Sequence, residues 1–262
     1  MDTGLSGQVV IVTGASGGIG QATARAFAAE EASVVLHYHR LADTAAKLQR
    51  ELGDAALPVA ADLRDESQAA SMLDAAVTRF GRVDSVVVNA GIWTAEAVPL
   101  HSMSAEQWRH TIDTDLTSAF LTCRAFLRHL ADVPRDVASI VLVGSTAAIF
   151  GEADHADYAA AKAGMVYGLT LSLKNEIVRL APRGRVNAVC PGWTDTPMAR
   201  HGTSDPEAMK RVFATMSVPK IATPQDVARA IVFLASDHLA GHLTGAIVPV
   251  AGGMEGRLLR AP

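Results

Sequence analysis

The chain has 262 residues, 49% hydrophobic and 19% charged, with a formal net charge of −4. That length suits one α/β domain, and a mildly acidic chain with scattered Lys and Arg gives no electrostatic reason to expect nucleic acid or an anionic membrane as partner. No Lys or Arg precedes Arg25, and no apolar run approaches the ~20 residues that span a bilayer, so no signal peptide or membrane helix is expected and the cytoplasm is the expected compartment.

Gln8–Thr13 predicts a buried first strand, and Thr13-Gly14-Ala15-Ser16-Gly17-Gly18-Ile19-Gly20 leads from it into a helix over Ile19–Glu31. Glycines 14, 18 and 20 allow a tight turn and close approach of backbone to a pyrophosphate, which a helix N-terminus stabilises. Gly14, Ser16, Gly18, Ile19 and Gly20 are therefore candidate cofactor contacts. The second strand, Ser33–Tyr38, runs into His39-Arg40, and no carboxylate appears before Asp43. In dinucleotide folds a carboxylate near this point accepts from the ribose 2′-hydroxyl, whereas an arginine can fork onto a 2′-phosphate. His39 and Arg40 thus predict NADP(H) rather than NAD(H).

A helix over Ala42–Leu52 and a strand over Ala56–Ala60 come next, then Asp62-Leu63 and a helix over Glu66–Phe80. The strand Val83–Asn89 leads into Ala90-Gly91, and a long helix is predicted over Glu106–Leu130. Strand Ala138–Ser145, helix Tyr158–Leu180 and strand Arg185–Cys190 follow, then Pro191-Gly192-Trp193-Thr194-Asp195-Thr196. The stretch Met198–Thr223 is long for a loop in a compact domain, which predicts a functional segment; a short helix is expected near Glu207–Thr215. Helix Pro224–Ala235 and strand Ala246–Val250 complete the pattern. Strands apolar on both faces, alternating with helices, predict an α/β fold of Rossmann type: a single-domain doubly wound parallel sheet of about seven strands with helices on both faces. The domain is expected to span 1–262, with a substrate-loop insertion at about 198–223. Cys123 and Cys190 form neither a disulfide framework nor a metal set; both are expected to be buried thiols, and no metal site is expected.

Tyr158 and Lys162 lie four apart, on one face of a helix, and Ser145 ends the fifth strand, where ligands of such sheets bind. Bringing a phenol from ~10 to ~7 requires about 4 kcal/mol. A cation about 4 Å away supplies ~1 kcal/mol in bulk water but ~4 at an effective dielectric of 20. In a site screened from water, Lys162 can therefore poise Tyr158 for proton transfer, while Ser145 donates to a substrate oxygen.

The Thr-Gly-x-x-x-Gly-x-Gly spacing, Asn89-Ala90-Gly91, Ser145 thirteen residues before Tyr158, Tyr-x-x-x-Lys and Pro191-Gly192 occur in the order typical of the short-chain dehydrogenase/reductase family, which the chain resembles from residue 13 to about 253. The resemblance implies that Asp62 accepts from the adenine amino group, that Leu63, Asn89, Ala90, Gly91 and Ile92 lie along the cofactor, and that Pro191, Gly192, Thr194 and Thr196 hold its nicotinamide end beside Tyr158 and Lys162. It implies hydride transfer between NADP(H) and a carbonyl or secondary alcohol, as in 3-oxoacyl-carrier-protein reductases, and a homotetramer paired through the Glu106–Leu130 and Tyr158–Leu180 helices. One family cue opposes NADP(H): residues 16 and 17 are neutral where users of that cofactor often carry a basic residue.

Asp115 stands where the family has Asn, whose main-chain carbonyl holds a water on the catalytic lysine; it is carried as a candidate catalytic residue, facing either Lys162 or away from it. Ala251 replaces an aspartate common near the chain end and is expected to affect subunit or chain-end packing. Alternatives are a pteridine or quinone reductase of the same family, a non-catalytic NADP(H)-binding regulator, and a nucleotide-sugar epimerase or dehydratase. Against these stand Gly18 and Ser145 where pteridine reductases have Arg and Asp, the intact Tyr–Lys pair, and the glycine spacing. The substrate side is expected to include Ile92–Val98, Thr146–Ala153, Trp93, Trp193 and the 198–223 segment, with His155 read as a helix-start residue.

Overall fold

The computed structural model describes residues 1–200 and 206–257; His201 and Gly202 of the expected substrate loop lie outside them. Seven strands form one parallel sheet in the order β3-β2-β1-β4-β5-β6-β7. They are β1 (Val9–Val12), β2 (Ser33–Tyr38), β3 (Ala56–Ala60), β4 (Ser85–Val88), β5 (Val137–Val143), β6 (Arg183–Pro191) and β7 (Ile247–Val250). The order reverses direction between β1 and β4, and ligands of doubly wound sheets bind beyond the carboxyl ends of the strands at such a point.

Alternate side chains of these β-branched strands feed two cores. On one face Ile11, Val86, Ile140 and Leu142 pack with Met72 of α3 (Glu66–Phe80) and with Phe126 and Leu130 of α5 (Ser118–Asp132). On the other, Val10, Val12, Leu36 and Val141 pack with Phe27 of α1 (Gly18–Ala29), Leu48 of α2 (Ala42–Leu52) and Ile231 of α10 (Pro224–Ala235). Full burial of one such side chain is worth about 1.5–3 kcal/mol. Cys123 and Cys190 are free and buried, and burial pushes their thiols up to about 12 and about 11.

Two predicted helices are corrected. The first is α4 (Ala105–Thr111), a π turn over Ile112–Thr117, and α5; the second is α7 (Ala156–Ala163), a π turn over Gly164–Leu169, and α8 (Thr170–Glu176). Side-chain hydroxyls occupy carbonyls near both irregularities: Ser118 donates to the Thr114 carbonyl and Thr170 to the Met165 carbonyl. Two short helices escaped the sequence pattern, α6 (Thr146–Phe150) and α11 (Asp237–Ala240), whereas α9 (Pro206–Ala214) stands near its expected place. Near its C-terminal end the 198–223 segment is tied by a bridge from Ala222 to Thr194 and by the Val218 amide donating to the Gly252 carbonyl. No helix among the described residues is long and apolar enough to cross a membrane.

Candidate active site

The glycine turn leaves β1 at the sheet's switch point. Gly14 adopts a φ of +63°, and a Cβ at Gly20 would overlap the Gly14 carbonyl oxygen, so both positions demand glycine. No side chain caps the N-terminus of α1, and its first turn carries no acidic residue; the helix dipole there favours an anion. Asn89, just past β4, donates from Nδ2 to the Thr13 and Gly14 carbonyls, and the Thr13 hydroxyl accepts from the Asn89 and Ala90 amides. Across the turn, a Cβ at Gly18 would meet the Thr196 side chain at 2.7 Å, so the Pro191–Thr196 segment lies directly over the glycine turn. Gly192 in turn faces Ala251, buried against it. Ala251 thus packs the chain's end onto the Pro-Gly segment.

At the end of β2, His39 and Arg40 are exposed, and Arg40 forms no ion pair among the described residues. Asp62 is engaged by Arg64, with Nη2 2.6 Å from Oδ2, and lies 3.9 Å from His39. The Arg64 side chain and amide hold its carboxyl at about 2. Sequence reasoning missed Arg64; its signal was a basic residue two beyond a candidate adenine contact. Leu63 is buried.

Ser145, Tyr158, Lys162 and Asp115 come together from β5, α7 and the first π turn. Lys162 is buried, with Nζ 5.7 Å from the Tyr158 ring centroid, 3.3 Å from the Val143 carbonyl oxygen and 3.5 Å from Asp115 Oδ2. Asp115 is fully buried, and its Oδ1 accepts from the Ile92 amide at 2.8 Å. The carboxylate therefore faces Lys162, and the alternative that it points away is excluded. Gly91 leaves room for the pair, since a Cβ there would lie 3.1 Å from both Asp115 Oδ2 and Lys162 Nζ.

Burial pushes the Asp115 carboxyl up, against the opposing pull of Lys162. Burial also lowers Lys162, but Asp115 and Tyr158 outweigh it and hold the ammonium above its ordinary value. The Tyr158 phenol is displaced upward, because burial, reinforced by Asp115 and Glu152, exceeds the downward pull of Lys162 and of a hydrogen bond with Ser145. Lys162 thus pulls the phenol downward, as the pairing requires, while burial in this arrangement pushes it up. The Ser145 hydroxyl also accepts from the Ala147 amide and caps α6.

The Trp93 indole donates to Glu152 at 3.1 Å, stacks on His155 at 5.0 Å and meets Trp193 edge-on at 6.3 Å. His155 does begin α7, but it makes no cap bond; its Nε2 lies 3.0 Å from the Thr94 carbonyl oxygen and joins the two loops. Glu152 was not singled out from sequence, where it reads as one more loop carboxylate.

A seven-stranded doubly wound sheet with this glycine turn at its switch point defines a dinucleotide-binding oxidoreductase class. Residues 14–255 match the family model described as enoyl-(acyl carrier protein) reductase. The chain is 41% identical over 248 residues to cis-4-hydroxycyclohexanecarboxylate dehydrogenase of Sinomonas cyclohexanicum, covering 94% of this chain and 96% of that one. It superposes with a TM-score of 0.86 on a short-chain dehydrogenase/reductase, a glucose/ribitol dehydrogenase, from Brucella melitensis, at 32% identity with 95% and 97% of the two chains covered. A 3-ketoacyl-(acyl-carrier-protein) reductase from the same organism, complexed with NADH, gives 0.84 and 30%, covering 95% and 98%. The protein belongs to the short-chain dehydrogenase/reductase family of oxidoreductases.

Proposed function

We propose that the protein transfers a hydride between NADP(H) and a carbonyl or secondary-alcohol substrate, in the manner of a 3-oxoacyl reductase, with Ser145, Tyr158 and Lys162 as its catalytic residues. The observation that carries this reading is the convergence of Ser145, Tyr158 and the buried Lys162 beside the uncapped glycine turn. The turn's residues Gly14, Ser16, Gly18, Ile19 and Gly20 hold the pyrophosphate. Asp62, Leu63, Asn89, Ala90 and Gly91 line the adenosine side, and Pro191, Gly192, Thr194 and Thr196 the nicotinamide side. The uncapped helix end and the absence of a side chain at Gly14 and Gly20 fit such a group.

Bound nicotinamide supplies or accepts the hydride. In the reducing direction Tyr158 donates its phenolic proton to the substrate oxygen, and Ser145 donates a hydrogen bond to the same atom as charge gathers on it. Lys162 stabilises the phenolate left behind. Carrying its proton, Tyr158 stands in the protonation state that the acid role needs. Trp93 and Trp193 offer apolar surface beside this group, which supports a small or medium carbonyl compound. The reading takes residues 1–262 as one domain with a substrate loop at about 198–223, working as a homotetramer in the cytoplasm.

The deciding experiment follows the nicotinamide absorbance of wild type and Tyr158→Phe with a panel of ketones, 3-oxoacyl thioesters, sugars, quinones and pterins. Loss of the phenolic proton should lower kcat at least ~10²-fold while cofactor affinity stays near normal. A variant turning over at the wild-type rate removes Tyr158 from the mechanism.

A further inference from the structure

His37, in β2, is 2% exposed and sits behind the glycine turn. Its Nδ1 lies 3.0 Å from the Gly14 amide nitrogen and its Nε2 3.0 Å from the Ala61 carbonyl oxygen. A backbone amide can only donate and a carbonyl can only accept. Nδ1 must therefore be bare and Nε2 must carry the proton; one neutral tautomer satisfies both partners, and the imidazolium satisfies only one. The His37 carbonyl also accepts from the Ala15 amide at 2.8 Å. One residue thus holds two successive amides of the turn, the first belonging to the glycine with φ +63°.

We propose that His37 is a positioning residue for the dinucleotide: its neutral ring fixes the glycine turn in register with the end of β2. Two residues on, His39 and Arg40 begin the segment read as the ribose end of the cofactor site. His37 therefore couples the parts of the protein that grip the two ends of one adenosine diphosphate moiety. Asn89 secures the turn's carbonyls from the β4 side, and His37 secures its amides from the β2 side. Burial, with a smaller push from His39, brings the ring down to about 4, against the Ala61 carbonyl and Asp62. Asp62 is itself paired with Arg64, and Thr13–Gly20 and Asn89–Gly91 carry no charged residue. At neutral pH the ring stays uncharged, as the geometry requires.

The proposal rests on the glycine turn being the dinucleotide cradle, and the test separates the two. NADPH and NADH are titrated into wild type, His37→Asn and His37→Gln, with Tm recorded for each. The ring nitrogens of the cofactor-free wild type are followed by 15N NMR. An asparagine oxygen can replace Nδ1 as acceptor for the Gly14 amide, whereas a glutamine amide reaches toward Ala61. Expected are a Kd for His37→Asn close to wild type and a Kd for His37→Gln raised about 3- to 10-fold for both dinucleotides, the worth of one net hydrogen bond. The order of Tm need not follow, and saturated kcat should change less than Kd. Wild-type Nδ1 should give the shift of an unprotonated nitrogen. Equal Kd values for the two variants, affinity that simply follows Tm, or a protonated Nδ1 overturns the proposal alone. Failure of wild type to bind either dinucleotide overturns the cradle reading and this proposal with it.

Discussion

At the scale of single residues, Asp115 and Arg40 each turn a local charge into a measurable property. The Asp115 carboxylate faces Lys162 at 3.5 Å and is among the groups that, after burial, raise the Tyr158 phenol. Alcohol oxidation needs the phenolate, so its rate climbs as pH rises through the Tyr158 transition. Asp115→Asn keeps an oxygen for the Ile92 amide and removes the charge. The phenol should then ionise at lower pH, moving the oxidation limb downward in pH with kcat kept or raised; an unmoved limb would show that Asp115 does not act on Tyr158. Arg40, at the end of β2, forms no ion pair among the described residues. On the NADP(H) reading, NADPH should be preferred to NADH in kcat/KM, and Arg40→Ala should erode that preference by the ~1.5–3 kcal/mol of a charge-assisted hydrogen bond. Unchanged discrimination in the variant would leave Arg40 a surface residue.

At the scale of elements, what the sequence made legible follows from what each element needs. The strands were readable because a sheet covered on both sides demands continuous β-branched runs such as Val34-Val35-Leu36. The glycine turn and the Ser145, Tyr158 and Lys162 set were readable because their chemistry constrains spacing. The two π turns were not, since Ile112–Thr117 and Gly164–Leu169 insert extra residues into apolar periodicities that otherwise run on unbroken. Yet the first decides that Asp115 is buried while Asp113 is exposed. Glu152 and the five-residue α6 stayed hidden for a related reason: the Trp93 partner of Glu152 is distant in sequence, and α6 is too short for a period. The capping box of α10, by contrast, joins residues three apart and is a local signal. The Thr223 hydroxyl accepts from the Asp226 amide and the Asp226 carboxylate accepts from the Thr223 amide. Thr223→Ala should cost about 1 kcal/mol, roughly 2–4 °C in Tm for a chain this long, with kcat unchanged. The Thr223 amide and hydroxyl, with Lys220, hold Asp226 at about 2. This carboxylate's contribution is therefore present above the ordinary value of 3.8 and is lost as pH falls toward 2. If the Tm of the variant matched wild type at neutral pH, the cap would be carrying no stability.

At the scale of the whole molecule, the helices that build the reaction centre also leave apolar surface exposed. Trp108 on α4, Phe120 on α5, Tyr167 in the second π turn and Val178 just beyond α8 are 38%, 44%, 45% and 42% exposed. Their inward faces carry Asp115, Met165 and Lys162, so one run of chain serves the core, the site and an uncovered outer face. Scattered exposed hydrophobics are ordinary, but several large ones along adjacent helices mark an interaction surface. On the homotetramer reading proposed above, the occupant of that surface is a second copy of the chain. On that reading, closed symmetric pairing through both helices makes the assembly a tetramer. Light scattering at micromolar concentration should therefore give four times the 27.4 kDa chain mass, or at least twice it. Phe120→Asp combined with Tyr167→Asp should lower the mass toward one chain, because burying two carboxylates in an apolar contact costs far more than it gains. The site's π turns lie directly beneath this surface, so dissociation should also lower kcat. A wild-type mass of one chain would remove the assembly, and an unchanged mass in the double variant would move the contact to another face.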